Sequence, residues 1–271
     1  MMRLVCYTFC LFLTACSGQD QTKTTKSTLA DNKRNQELIV EEYLNNCAEN
    51  YNYTYDMALW QECLDRGLEK DSTIAILWQK KAMPYFKVRK YEIGMEFLDK
   101  AVEHDKESWL DYRAFIKCIF VKSYKDAITD FEACKRSNKN GYVMDHTYDF
   151  YIGISYLQLN RFSDAESSLM ESVSFQKNQI GQAHFIDLFY YAISKYEQSK
   201  FDEAIALFDE CLIQYPTFSD ALYYKAVCYA KSGRYEDYEL FYEEAKINGL
   251  KGNTISEDNS IYEKYPYQIE W

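Results

Sequence analysis

The body of this chain repeats a short helical pattern about every 34 residues. The pattern begins with an aromatic residue, has a small residue three positions later and a large apolar residue four positions after that. Clear copies begin at Tyr124, Phe162 and Phe201. One such unit cannot bury enough apolar surface to be stable alone, so a chain of this kind stacks its copies into a continuous array.

Aligning the pattern along the chain gives six units. We call the small residue three positions after the aromatic start the anchor of its unit. The six anchor positions are occupied by Trp60, Gly94, Ala127, Ala165, Ala204 and Tyr238, with successive spacings of 34, 33, 38, 39 and 34. The position seven residues after each anchor is small in all six units: Gly67, Ala101, Cys134, Ser172, Cys211 and Ala245. Small residues at these positions let two helix backbones approach to about 8–10 Å. The two longest spacings predict extra loop or helical residues near 137–145 and 176–184.

These units resemble tetratricopeptide repeats. The first helix of that family carries a large residue, a small residue four positions on and a tyrosine three after that, and Trp78, Ala82 and Tyr85 match it. The resemblance implies an all-α fold, an α-solenoid of about six helix-turn-helix repeats over residues 37–252 that form a right-handed superhelix. Only 9 Gly and 3 Pro occur in 271 residues, which favours long helices. Trp60 and Tyr238 depart from the small anchor, as terminal repeats commonly do.

The resemblance also implies a concave groove lined by the first helix of each pair. The residues expected to line it are Trp109, Tyr112, Ile116, Phe150, Ile154, Phe189, Ile193, Tyr196 and Tyr223. A groove this apolar predicts a non-catalytic scaffold that binds an apolar or aromatic segment of a protein partner.

Three alternatives to this prediction stay open. The nine residues are core if the register is shifted by one position. The aromatic groove could instead hold a small molecule or a glycan. The aromatic tail, residues 253–271, either caps the last repeat or folds into the groove as an intramolecular plug.

The N-terminus has the pattern of an export signal. Arg3 precedes an apolar run that ends at Leu13, and Thr14-Ala15-Cys16 follow. The last four residues resemble the lipobox of bacterial lipoproteins. This implies that residues 1–15 are a signal peptide, that Cys16 carries acyl chains such as palmitate, and that residues 16–36 are a flexible tether. The expected location is the cell envelope, lipid-anchored, at the outer membrane and facing the periplasm or the exterior. The alternative is an ordinary secretory signal.

The remaining sequence gives no sign of catalysis. It contains no Gly-rich phosphate loop, no HExxH motif and no serine nucleophile elbow, so an enzyme is not expected. The three histidines are scattered and none lies beside a cysteine, so neither a metal nor another cofactor is expected. The formal charge of -11 disfavours nucleic acid as a partner. Six cysteines in the body are interpreted as small core residues, although export would also allow disulfides: Cys47, Cys63, Cys118, Cys134, Cys211 and Cys228.

Overall fold

The computed structural model describes the backbone of residues 19–271 and the side chains from residue 30 onward. Its α-helices are α1 (Gln19–Val40), α2 (Met57–Lys70), α3 (Ala75–Lys87), α4 (Tyr91–His104), α5 (Lys106–Ile116), α6 (Tyr124–Ser137), α7 (Tyr148–Gln158), α8 (Phe162–Ile180), α9 (Phe185–Glu197), α10 (Phe201–Gln214), α11 (Ser219–Lys231) and α12 (Tyr235–Gly249). Single π-helical turns follow α1 at Glu41–Asn45 and α5 at Lys117–Val121, and a 3₁₀ turn lies at Ala48–Asn50. The predicted all-α solenoid of six helix pairs is confirmed.

The small anchors lie where neighbouring helices cross. Ala127, Ala165 and Ala204 are completely buried, as is the large apolar residue four positions after each of them. Gly153 on α7 shows how close the crossings are, because an added Cβ would lie 2.4 Å from Cγ of Leu169 on α8. A glycine at this position therefore permits the contact between α7 and α8.

The turn inside each of the last five helix pairs has the same backbone conformation. The residue two positions before the second helix has a positive φ, near 60° in four turns and 76° in the fifth: Arg89, Lys122, Asn160, Ser199 and Gly233. The next amide donates to a carbonyl five residues earlier in four of the turns, as in Arg161 N to Tyr156 O at 2.9 Å. This is the Schellman arrangement that ends a helix by using its unpaired carbonyls. In the third unit the π-helical turn adds one residue between donor and acceptor, so the corresponding hydrogen bond runs from Ser123 N to Lys117 O, six residues earlier.

The two long spacings are filled in different ways. The extra residues before α7 form a small antiparallel hairpin, β1 (Tyr142–Val143) with β2 (His146–Thr147). The extra residues before α9 lengthen α8 to 19 residues and add a loop that begins at Gly181, whose φ is 82°. Both insertions lie beside the central units.

Charged side chains join the fourth and fifth units. Glu166 on α8 accepts hydrogen bonds from Lys195 at 2.7 Å, Lys200 at 2.7 Å and Gln198 at 2.6 Å. Burial acts to raise the pKa of Glu166, but these three donors outweigh it and lower the pKa to about 2. The carboxylate form is therefore the one that the fold stabilises.

The segment predicted to be a tether is helical over most of its length. Residues 19–36 belong to α1, and the side chains of residues 30–35 are exposed. Packing on the array starts at Gln36, whose amide donates to Asp71 at 2.9 Å, and Ile39 is the first buried apolar residue. The polar sequence has no breaker and extends the first packed helix, and its role as a tether stays a prediction.

Two of the six body cysteines depart from the interpretation as core residues. Cys47 and Cys63 form a disulfide across the first unit, with their Cα atoms 5.7 Å apart. They are 16 residues apart in sequence and become neighbours only when α2 folds back on the segment after α1. Cys118, Cys134, Cys211 and Cys228 are buried and free, as expected for small core residues.

Candidate binding groove

The C-terminal tail, residues 253–271, lies across five of the six units. Its first arm leaves α12 at Asn253, whose carbonyl accepts from Ser219 N at 2.8 Å. Glu257 then reaches Nε2 of His146 in the fourth unit, at 3.5 Å. Asn259 reaches Nζ of Lys87 in the second unit, at 3.3 Å. The tail therefore crosses the array from its last unit to its second.

The tip of the tail is bound by basic side chains of the second and third units. Nζ of Lys87 lies 3.8 Å from the centre of the Tyr262 ring, and Arg89 donates to the Tyr262 carbonyl at 3.1 Å. The buried carboxylate of Glu263 lies 3.3 Å from Nε of Arg89 and 3.2 Å from Nζ of Lys122, and it also accepts from the Tyr91 hydroxyl. A buried carboxylate needs such partners to offset its loss of water.

The second arm returns to the last units. The Tyr190 hydroxyl on α9 donates to the Pro266 carbonyl at 2.8 Å. The Tyr267 hydroxyl donates to Glu197 at 2.8 Å. Trp271 then packs edge-on against Tyr223 at 5.9 Å between ring centres.

Both arms meet at one carboxylate. Asp220 on α11 is fully buried and accepts from Ile255 N at 3.2 Å, Thr254 Oγ1 at 2.7 Å and Ile269 N at 2.7 Å. The side-chain amide of Gln268 on the second arm donates to the Ile255 carbonyl on the first, at 3.2 Å. Asp220 thus fixes the two ends of the loop that the tail forms.

Besides its hydrogen bonds to the repeats, the tail contributes apolar side chains to the hydrophobic core. Ile255 and Tyr265 are 2% and 3% exposed and belong to the main apolar cluster that runs through the second to sixth units. The tail also contacts the first helices α3, α9 and α11, through Lys87, Tyr190 and Asp220. It does not lie only on the end of the last pair.

The structure divides the nine predicted groove residues into two groups. Ile116, Phe150, Ile154, Phe189 and Ile193 are at most 1% exposed and pack within the main cluster. The other four are partly exposed: Trp109, Tyr112, Tyr196 and Tyr223. Tyr223 contacts the tail through Trp271, whereas the tail contacts on α9 are made by Tyr190 and Glu197. Their role in binding a partner stays a prediction.

A buried polar cluster lies below the first arm of the tail. Asp187 at the start of α9 accepts from Nδ1 of His146 at 2.9 Å, Oγ of Ser172 at 2.6 Å and Nε2 of Gln176 at 2.7 Å. Oε1 of Gln176 accepts from the backbone amide of His184 at 2.8 Å. Burial acts to lower the pKa of His146, but the carboxylates of Asp187 and Glu257 outweigh it and raise the pKa to about 9.

Sequence reasoning missed this cluster. His146 and His184 are far apart in the sequence, which gives no sign of a shared site, but their rings lie 5.4 Å apart, centre to centre. The only available signal was the pair of long repeat spacings, because each inserted segment supplies one of the two histidines.

The predicted lipidation site, Cys16, and the predicted signal peptide lie outside the described residues. Among residues 19–271, none of the helices has both the length and the apolar content needed to span a bilayer.

Comparison with known families identifies part of the array directly. Residues 192–249, which include most of the fifth and sixth units, match the tetratricopeptide repeat family. No curated protein sequence matches the chain.

Several solved structures share the fold of the array. PilW, described as a widely conserved type IV pilus biogenesis factor, has a TM-score of 0.62 and 13% identity over 79% of this chain and 94% of its own. A tetratricopeptide repeat protein from Parabacteroides merdae has a TM-score of 0.63 and 14% identity over 79% of this chain and 80% of its own. YrrB, described as a tetratricopeptide repeat protein with an unusual peptide-binding site, has a TM-score of 0.53 and 21% identity over 70% of this chain and 94% of its own. The family match identifies residues 192–249 as tetratricopeptide repeat sequence, and the solved structures show that the array as a whole shares the fold of these proteins.

Proposed function

We propose that this chain is a non-catalytic, lipid-anchored scaffold of the bacterial cell envelope, and that its groove binds an apolar or aromatic segment of a partner protein. The observation that carries the proposal is the chain's own tail, which lies across five units and contacts the first helices α3, α9 and α11 as a bound peptide does. Tyr190, Asp220 and Tyr223 hold it by a hydroxyl, a carboxylate and an aromatic face. These groups recognise backbone amides and carbonyls together with aromatic side chains, which any extended aromatic peptide offers.

In this proposal the tail competes with the partner. A tethered segment has an effective concentration in the millimolar range, so a free peptide of similar affinity cannot displace it. A partner binds only when the tail detaches or when its affinity for the groove exceeds that of the tail. The similarity to YrrB, which is described as having a peptide-binding site, supports a protein or peptide ligand for this fold.

The binding part of the proposal is tested with a full-length variant whose tail is weakened at Tyr265→Ala, Tyr267→Ala and Trp271→Ala. A fluorescent peptide with the native sequence of residues 253–271 is added in trans. We expect its anisotropy to rise with the variant and to stay unchanged with the wild-type protein, whose groove is filled. A peptide of the same composition in scrambled order is the control. The proposal is wrong if hydrogen exchange shows that the variant's tail has detached and the native peptide still does not bind.

The envelope location is supported by two independent features. Residues 1–16 carry the export and lipobox pattern, and the Cys47–Cys63 disulfide is typical of proteins in oxidising compartments. Feeding cells an alkyne-tagged fatty acid tests the anchor. We expect the wild-type chain to be labelled and to sediment with membranes, and Cys16→Ser to be unlabelled. Equal labelling of the two proteins, or none in either, contradicts the proposed anchor.

A further inference from the structure

Three potential metal ligands meet where the tail crosses the fourth and fifth units. One ligand atom each from His146, His184 and Glu257 lies within 4.8 Å of the other two. His146 is on β2, His184 precedes α9, and Glu257 is on the first arm of the tail. Zinc ligands at 2.0–2.1 Å in a tetrahedral arrangement are about 3.3 Å from one another. The contact of 3.5 Å between His146 Nε2 and Glu257 already has this spacing.

The surroundings of His146 are those of a metal-ligating imidazole. Its Nδ1 faces Asp187 at 2.9 Å, and Asp187 is held in turn by Ser172 and Gln176. A carboxylate that accepts the Nδ1 proton fixes the ring orientation and leaves the Nε2 lone pair available, which is the usual outer-shell arrangement at zinc histidines. Stacking on Phe150, with ring centres 3.8 Å apart, fixes the ring further.

Nε2 of His146 has no partner with hydrogen-bond geometry. The side chain is 1% exposed, and Nε2 is one of the few buried polar side-chain atoms in the described residues without a hydrogen bond. A buried polar nitrogen without a hydrogen bond is costly and rare in native structures. It is directed toward Glu257, so a cation between the two would satisfy both.

We propose that His146, His184 and Glu257 bind a divalent transition-metal ion, with zinc as the best match to two imidazoles and one carboxylate. The charges of Glu257 and Asp187 offset those of the ion. An imidazole coordinates a metal ion through the lone pair of its neutral form, so the ion binds Nε2 of neutral His146. His184 is exposed, which gives the ion access from solvent and leaves a coordination position for water.

The site joins the tail to the array. Two of its ligands belong to the repeats and the third to the tail, so a bound ion attaches residue 257 to the fourth and fifth units. Metal binding and tail docking therefore stabilise each other by the same free energy. This inference stands whether or not the groove also binds a partner.

The test uses the full chain, freed of metal by a chelator that is then removed. Titration with zinc chloride in a calorimeter is expected to show one saturable site per chain, and cobalt(II) added instead is expected to give the visible absorption bands of a low-symmetry site. His184→Ala and Glu257→Gln are each expected to weaken zinc binding at least 10-fold. Both residues are at least partly exposed, so neither change disturbs the core.

His104→Ala is the matched control. His104 is an exposed histidine at the end of α4, away from the tail, and its replacement is expected to leave zinc affinity unchanged. Zinc is also expected to slow hydrogen exchange in the tail of the wild-type protein but not of Glu257→Gln. The inference is overturned if the wild-type chain shows no saturable site, or if zinc binds Glu257→Gln and His184→Ala as tightly as the wild type.

Discussion

Replacing Asp220 by alanine is expected to detach the tail while the repeat array stays folded. Asp220 is the acceptor shared by both arms, with bonds of 2.7 Å to Ile269 N, 2.7 Å to Thr254 Oγ1 and 3.2 Å to Ile255 N. In Asp220→Ala the backbone amides of Ile255 and Ile269 have no acceptor as long as the tail stays docked. They regain hydrogen bonds to water when it leaves.

The size of the effect follows from these three bonds. A hydrogen bond to a charged group contributes about 1.5–3 kcal/mol net, and the bond to Ile255 is the longest and weakest of the three. Burial of Asp220 opposes this gain and raises the pKa of its carboxyl, so removing the charge recovers part of the loss. We therefore expect docking of the tail to weaken by about 2–4 kcal/mol, which increases the detached population roughly 30- to 1,000-fold.

Hydrogen exchange measures this population. The reporting amides are those of Glu263 and Tyr265, because their acceptors, Asn259 O and the side chain of Gln268, lie within the tail and survive the substitution. Their protection is expected to fall by the same factor, while the amides of α7 keep theirs. Asp237→Ala removes an exposed carboxylate from α12 and serves as the matched control.

Two outcomes would refute the reasoning. Protection of the Glu263 and Tyr265 amides within about threefold of wild type would mean that Asp220 does not hold the tail. An equal loss of protection in α7 would mean that the tail and the array unfold as one unit, so that no detached state exists for a partner to use.

Three further substitutions test the packing of the array. Cys47→Ser with Cys63→Ser opens a closed loop of about 16 residues and is expected to destabilise the first unit by about 3 kcal/mol in thermal unfolding; an unchanged melting curve under oxidising conditions would contradict the disulfide. Glu166→Gln is expected to lower the unfolding free energy by about 1–3 kcal/mol at pH 7, because the carboxylate bonds to Lys195 and Lys200 are lost. Since the folded pKa of Glu166 is about 2, below its usual value, that difference is fully present above pH 5 and shrinks as the pH falls toward 2; a difference that is constant from pH 7 to pH 3 would contradict it. Gly153→Ala forces a Cβ against Leu169 and is expected to cost about 1–3 kcal/mol in denaturant unfolding, and no loss would mean that α7 and α8 separate without strain.

The repeat pattern predicts the array because its signal is local and periodic. An aromatic start at Tyr124, a small anchor at Ala127 and a large residue at Phe131 follow at fixed spacing, and in the structure Ala127 and Phe131 are fully buried while Tyr124 is half-buried. The all-α array of six helix pairs follows from that spacing. The turns are less predictable, because four of the five positive-φ residues are not glycine.

The arrangement of the groove could not be derived in the same way. The tail has no periodicity, so nothing in its aromatic residues says which of the six units it contacts. His146 and Glu257 are 111 positions apart in the numbering and meet only because the tail turns back along the array. Cys47 and Cys63 likewise depend on a tertiary contact, and their spacing matches no short motif.

The path of the tail changes how the array responds to force and to denaturant. Stacked repeats ordinarily contact only their neighbours. They can therefore unfold one after another from the ends, and the array extends elastically under force. Here a hydrogen bond connects Lys87 in the second unit to Asn259 in the C-terminal tail, 172 positions later in the sequence. This contact links the second unit to the tail that follows the sixth. The units between the two ends are therefore expected to unfold together, and not one by one, until the tail detaches.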